Sequence, residues 1–198
     1  IEEVASGLTS PRFMARDPLT GDLVYGSSTT SQVVRLRDTN GDGRYDQTQI
    51  VAGGLAAVHS VAFVNAGPGG APVLYAAAED RLVRLSNFDA NGTAQSVDLV
   101  MALPAGAKDL YGHRTRTIAL GPDGKLYISV GSSCDVCVED TPLRAAILRM
   151  NVDGSQLEVY ASGLRNTVGF AWRPFTHELW GADMGRNNLG PTTVSDEL

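Results

Sequence analysis

With 198 residues, 43% of them hydrophobic and 19% charged, and a formal charge of −6, the chain has the material for a sizeable core and lies outside the disordered class. The acidic balance argues against a nucleic-acid partner, whose phosphates call for clustered Lys and Arg. No run of 18 apolar residues occurs, so no membrane-spanning helix is expected.

The chain starts at Ile1 with no signal peptide, as a mature or trimmed product would, so the missing leader leaves export open. Four short segments follow, at 11–16, 22–26, 32–37 and 47–52. They are rich in Val, Leu, Tyr and Phe and bounded by Gly, Pro, Asp and Asn, which predicts four strands joined by turns. Between the last two lies Asp38-Thr-Asn40-Gly-Asp42-Gly-Arg-Tyr-Asp46. Oxygen ligands at loop positions 1, 3, 5 and 9, with Gly43 at position 6, match the spacing of a calcium loop, although Gln49 stands where a bidentate Glu is usual. A polar hairpin turn built on Asn-Gly and Asp-Gly is the other reading. In either case the loop would be structural and remote from chemistry.

The same pattern then returns. Val51-Ala-Gly-Gly-Leu55 with 58–63 and 73–77 forms a second copy, and Val100-Met-Ala-Leu-Pro104 with 116–120 and 125–130 a third. Tyr160-Ala-Ser-Gly-Leu164 with 167–174 and 178–180 overlays the opening Val4-Ala-Ser-Gly-Leu8 segment without gaps at an offset of 156 residues. Units of about 50 residues, each of four strands, predict an all-β β-propeller. A β-sandwich is the rival, but it would not produce this tandem period. The predicted blades are 9–55, 56–104, 113–164 and an incomplete 165–198, about three and a half blades of a single domain. Because an open arc of blades leaves strand edges unpaired, a larger ring or a second copy is expected to complete it.

Three motifs in the second half carry candidate chemistry. His113 lies just before the third unit's innermost strand, where a side chain can face the mouth of a central channel and take a proton near neutral pH; an ordinary loop histidine is the bland reading. Cys134 and Cys137, in Ser-Cys-Asp-Val-Cys-Val, follow a strand with no helix pattern behind them. A small structural disulfide is the expectation, with free thiols or redox and metal chemistry as alternatives. Arg165 and Asn166 occupy the corresponding loop of the next unit, and they suit capture of a carboxylate; taken alone they read as a surface Arg and a turn Asn.

Taken together, these motifs resemble the pyrroloquinoline-quinone (PQQ)-dependent sugar dehydrogenases. The resemblance rests on His113 followed eight residues later by Gly-Pro-Asp-Gly-Lys-Leu-Tyr, on Gly-Leu-Arg-Asn-x-x-Gly-Phe-Ala-Trp at 163–172, and on Leu-Trp-Gly-Ala-Asp-Met-Gly-Arg at 179–186. The loop at 38–43 and Ser-Ser-Cys-Asp-Val-Cys are most similar to the sorbosone-type branch. The resemblance implies a six-bladed propeller in an exported, periplasmic or extracellular quinoprotein. It also implies PQQ and calcium as cofactors, an aldose or sugar-like aldehyde as substrate, and a separate electron acceptor. His113 would be the proton acceptor, Arg165 and Asn166 would hold PQQ, and the backbone carbonyls of Gly185 and Arg186 would bind a catalytic calcium.

There are departures. Gly112 stands where the glucose enzymes have an Asp, Arg186 where they have a Pro, and His59 near the place of a cofactor-contacting Gln. Asp196-Glu-Leu198 resembles the opening of a longer family segment, as expected if the chain is cut. A catalytically silent binding propeller is the runner-up, and a metal-dependent lactonase of the gluconolactonase type is a third reading.

Overall fold

The computed structural model describes residues 2–65, 71–187 and 196; Ile1, Glu197 and Leu198 lie outside the described residues. The described residues are all-β, with fourteen strands and no helix. The first four are β1 (Pro11–Arg16), β2 (Leu23–Ser27), β3 (Gln32–Arg37) and β4 (Gln47–Ala52). Next come β5 (Ser60–Asn65), β6 (Pro72–Ala77), β7 (Arg81–Phe88) and β8 (Ala94–Ala102). The third set is β9 (Arg116–Leu120), β10 (Leu126–Val130), β11 (Ala146–Met150) and β12 (Glu158–Ser162), followed by β13 (Thr167–Trp172) and β14 (Leu179–Asp183). Each set of four is an antiparallel meander in sequence order, and β13 and β14 form a two-stranded hairpin.

The repeat seen in the sequence extends to a detail of register. In every four-stranded sheet the pairing of the third strand with the fourth slips near the start of the third: at Val33/Val34, at Leu82/Val83 and at Ile147/Leu148. An irregularity at one place in three sheets is a feature of the repeated unit, a bulge that increases twist as the sheet reaches its outer edge.

The chain forms two compact units, Ile1–Ala102 and Leu103–Leu198. In the first, Val24, Val33 and Val51 pack with Leu55, Val61 and Leu74 in one buried cluster. Each fully buried aliphatic side chain of this kind stabilises the fold by about 1.5–3 kcal/mol. Arg35 is buried beside this core, with Nη1 2.9 Å from Asp17 and 3.0 Å from Asp22. In the second unit, all five residues of β10 are buried, and β9 lies at the edge of its sheet. The Thr117 hydroxyl of β9 donates to the Val168 carbonyl of β13 at 2.5 Å, which fixes the hairpin beside the sheet.

Candidate functional site

The loops of the second unit that precede β9 and β13, and those that follow β10 and β14, converge. Three backbone–backbone hydrogen bonds and one from a backbone N–H to a carboxylate join them. His113 N–H donates to Ser132 O at 2.8 Å, and Ser132 N–H to Arg165 O at 2.8 Å. Met184 N–H donates to Asn166 O at 3.2 Å, and Arg165 N–H to an Asp183 carboxylate oxygen at 2.9 Å. The sequence expectation placed His113, Arg165, Asn166 and Gly185 in one site; these bonds bring the first three together, and the Arg165 guanidinium reaches the Gly185 carbonyl.

His113 is half-buried, and its protonation pattern follows from its neighbours. The Ser132 hydroxyl lies 2.9 Å from His113 Nδ1 and 2.7 Å from the Cys134 carbonyl oxygen. A carbonyl oxygen can only accept, so the single hydroxyl proton goes to Cys134. Ser132 Oγ must then accept from His113, which puts the imidazole proton on Nδ1 and leaves Nε2 with its lone pair. Burial pushes the imidazole below its ordinary value, and the nearby Arg165 guanidinium pushes it the same way. The result is a neutral imidazole at neutral pH with a basic Nε2.

Arg165 distributes its donors over three residues. Nη1 donates to the Gly185 carbonyl at 2.7 Å and the Met184 carbonyl at 3.1 Å. Nη2 donates to the Asp135 carboxylate at 2.6 Å, and Nε to the Asp135 carbonyl at 3.0 Å. Asp135 Oδ1 also accepts from Asn187 N–H at 3.0 Å. That backbone donor, with Arg165 behind it, holds the carboxyl below the usual carboxylate range.

Asn166 is buried, and its Oδ1 accepts from the Thr115 hydroxyl at 2.9 Å. Gly185 N–H donates to Asp196 at 2.9 Å. Arg186, expected beside Gly185 as the second carbonyl ligand, is exposed; the carbonyl that shares a guanidinium nitrogen with Gly185 is that of Met184.

Two buried arginines support these loops. Arg116, wholly buried, donates to the carbonyls of Pro104 at 2.6 Å, Thr115 at 2.8 Å and His113 at 3.3 Å. Arg144 donates to Gly106 O at 2.7 Å and Gly131 O at 3.4 Å. Sequence reasoning passed over Arg116, Arg144, Ser132, Asp135 and Asp183. The usable signal was local: Ser132 and Asp135 flank Cys134, and Asp183 lies within the 179–186 motif.

Cys134 and Cys137 form a disulfide, as expected. With Glu139 they are the group of three His, Cys, Asp or Glu residues among the described residues whose ligand atoms lie within 4.8 Å of one another, and the bond between the sulfurs occupies them. In the loop at 38–46, Asp38 accepts from Gly41 N–H at 2.7 Å and Gly43 N–H at 2.8 Å, and Asp46 accepts from Thr39. Asp42 Oδ1 accepts from Arg44 N–H at 2.8 Å, and Asn40 Oδ1 from Asp42 N–H at 3.0 Å. The loop thus closes on its own hydrogen bonds. His59 lies in the first unit, with its ring 5.2 Å from that of Phe13.

The fold is shared with solved structures. One is the PQQ-bound aldose sugar dehydrogenase of Streptomyces coelicolor, with a TM-score of 0.75 and 24% identity over 94% of this chain and 60% of that one. Another is the PQQ domain of pyranose dehydrogenase from Coprinopsis cinerea, with a TM-score of 0.72 and 21% identity over 98% of this chain and 48% of that one. A gluconolactonase of Xanthomonas campestris matches with a TM-score of 0.63 and 18% identity, over 92% of this chain and 57% of that one. These likenesses establish the β-propeller, and the chain spans about half to three-fifths of the length of these structures. In sequence, an uncharacterized protein of Borreliella burgdorferi is 33% identical over 76 residues, 38% of this chain and 20% of that one. A family model covers residues 14–193, most of the chain, which therefore belongs to the family described as Domain of unknown function (DUF7133).

Proposed function

We propose that the chain is part of a quinoprotein that oxidises an aldose or a sugar-like aldehyde. The observation that carries this reading is the neutral His113, with Nε2 carrying a lone pair, set beside the Arg165 guanidinium and the buried Asn166. Removing a proton from a sugar hydroxyl requires an unprotonated imidazole nitrogen that can come within hydrogen-bond reach. Arg165, with four of its five N–H donors engaged by Asp135, Met184 and Gly185, supplies a fixed positive charge and the second Nη2 proton to a carboxylate or quinone oxygen, and Asn166 adds a polar contact beside it.

The residues fit the two cofactors by their chemistry. The carbonyls of Met184 and Gly185 already share one positive charge, that of Arg165 Nη1, and hard carbonyl oxygens are the donors that calcium prefers. Gly185, with Arg186 as the companion read from the sequence, would hold the catalytic calcium, and Arg165 and Asn166 would hold PQQ. When bound, PQQ supplies a hydride acceptor and calcium a Lewis acid on its quinone oxygen. His113 holds the substrate proton at Nε2, while Ser132 keeps the ring oriented through Nδ1.

In the same reading, residues 1–198 are a partial propeller of one domain and Asp38, Asn40, Asp42 and Asp46 form a structural calcium loop. The enzyme is periplasmic or extracellular, where a disulfide persists, and passes its electrons to a separate acceptor. The test is reconstitution of the full chain with PQQ and calcium, followed by addition of an aldose. Appearance of the reduced-quinone spectrum supports the reading. Oxidised quinone that stays unchanged, with PQQ bound, points to the silent propeller. Hydrolysis of an aldonolactone without PQQ points to the lactonase reading.

A further inference from the structure

The disulfide loop touches both halves of the site. Ser132, just before it, accepts from His113 Nδ1 and donates to the carbonyl of Cys134. Asp135, inside it, holds Arg165 twice, through its carboxylate on Nη2 and its carbonyl on Nε. The pair is largely shielded, with side-chain exposures of 12% for Arg165 and 21% for Asp135. Asp135 Oδ1 also fixes Asn187 N–H, and Asp135 N–H donates to Asp109 at 3.1 Å. One four-residue ring therefore makes bonds to three other segments, and two of its backbone carbonyls, those of Cys134 and Asp135, face side chains of the site.

We propose that the Cys134–Cys137 loop is the positioning device of this site: the Cys134 carbonyl fixes the His113 tautomer through Ser132, and Asp135 aims the Arg165 guanidinium. The ring matters because carbonyl direction depends on backbone angles, and a bond between residues three apart restricts those angles. Asp135 and Ser132 are positioning residues; neither needs to touch substrate. Opening the ring would loosen both contacts at once. Cys134 is buried while Cys137 is exposed, so a thiolate from solvent can reach the bond on the Cys137 side. With a dithiol such as dithiothreitol, the sulfur–sulfur bond breaks, both cysteines become thiols, and the reagent is oxidised to its cyclic disulfide.

The consequences for PQQ rest on the dehydrogenase reading, so the test has readouts that do not need the cofactor. Nitrogen-15 NMR of the full chain reports the His113 tautomer from its ring nitrogens and the hold on Arg165 from the exchange rates of its Nε and Nη2 protons, the latter bonded to the Asp135 carboxylate. In the wild type, an Nδ1–H tautomer and slowly exchanging Arg165 Nε and Nη2 protons are expected. Ser132→Ala should mix the tautomers and leave Arg165 unchanged. Asp135→Ala should speed Arg165 exchange and leave the tautomer unchanged, with Asp135→Asn between it and the wild type, because an amide oxygen accepts the same bonds without charge. Dithiothreitol, or Cys134→Ser with Cys137→Ser, should change both signals together.

If the disulfide is cleaved and both signals stay as in the wild type, the proposal is overturned. Should cleavage disturb the whole spectrum, the two single substitutions decide, and unchanged signals in both overturn it. With PQQ and calcium present, Asp135→Ala should weaken PQQ binding by about 10- to 100-fold, the usual effect of losing a partner that orients a ligand-holding group. Ser132→Ala should lower kcat more than it changes PQQ binding. A wild type that binds no PQQ defeats the dehydrogenase reading alone, and the NMR arms still judge the loop.

Discussion

Gly131→Ala is the sharpest test of how closely the site is packed. Gly131 directly follows β10, and a Cβ built there would lie 2.5 Å from the Cβ of His113 and 2.7 Å from Oδ1 of Asn166. Non-bonded carbons sit comfortably at about 3.5–4.0 Å, so His113 would have to retreat by about 1 Å. It is not free to do so, because its N–H is bonded to Ser132 O and its ring to Ser132 Oγ. Asn166 is likewise held by Thr115. Overpacking of this kind costs about 1–3 kcal/mol, and in a chain of this size each kcal/mol lowers Tm by about 2–4 °C. A displacement of about 1 Å in a reacting group costs about 100-fold in rate. Thermal denaturation and aldose turnover with PQQ and calcium measure both effects. Gly169→Ala, where a Cβ meets nothing within 4 Å, is the control and should leave Tm near that of the wild type. A Gly131→Ala protein with wild-type Tm and turnover within about twofold would refute the reasoning, since the loops could not then be this close.

His113→Gln keeps a polar side chain of similar size but cannot take up a proton, so turnover should fall by about 10²- to 10⁴-fold while PQQ affinity changes far less; steady-state kinetics with a PQQ titration checks this. Because burial and Arg165 both lower the His113 value, activity should persist at and above neutral pH and decline only as pH falls below about 6.5. Arg165→Met removes one of those causes, so an NMR titration should show the His113 value moving up. The same shift bears on stability: the unfolded chain protonates first, so this residue costs stability as pH drops below about 6.5 and contributes nothing above it. In the first unit, Arg35→Leu leaves Asp17 buried without its cation and Asp22 with only the longer contact to Arg37 at 3.5 Å, and should cost about 3–5 kcal/mol, read by chemical denaturation.

The fold was legible because it is written repeatedly and locally. The predicted segments 11–16, 32–37 and 47–52 are β1, β3 and β4, and 22–26 lies one residue from β2, since alternating apolar residues between Gly and Asp turns specify strands without distant help. His113, Arg165, Asn166 and Gly185 were legible through motifs. What the sequence did not disclose was how they are held. The roles of Ser132, Asp135, Arg116 and Arg144 depend on bonds to loops up to 52 residues away, or on local bonds whose geometry those loops set. A serine or an arginine in a loop has many possible partners, and only the closed fold selects one. The loop at 38–46 was legible as a tight polar turn, whose Asp38 and Asp42 carboxylates accept from its own backbone N–H groups.

Gly112 bears most directly on whether the site is intact or decayed. The resemblance places an Asp there, so its loss could be taken as erosion of a catalytic centre. The surroundings argue otherwise. A Cβ at residue 112 would run into the Cβ of Ala107 and lie 2.5 Å from the carbonyl oxygen of Ser133. That carbonyl is held in place by Lys108 N–H at 2.6 Å, and Ser133 is itself held by Glu139 through its N–H and its hydroxyl, each at 2.7 Å. The space an aspartate would need is filled by backbone that the disulfide loop and Glu139 fix, so the glycine is part of this arrangement. Gly112→Asp should therefore lower Tm and reduce turnover, because the loop carrying His113 must move to admit the side chain. An eroded site predicts the reverse, with the restored carboxylate raising turnover at unchanged Tm. Measuring both quantities on the variant separates the two, and a gain in turnover would show that residue 112 lost an acid and did not adapt to a loop built around glycine.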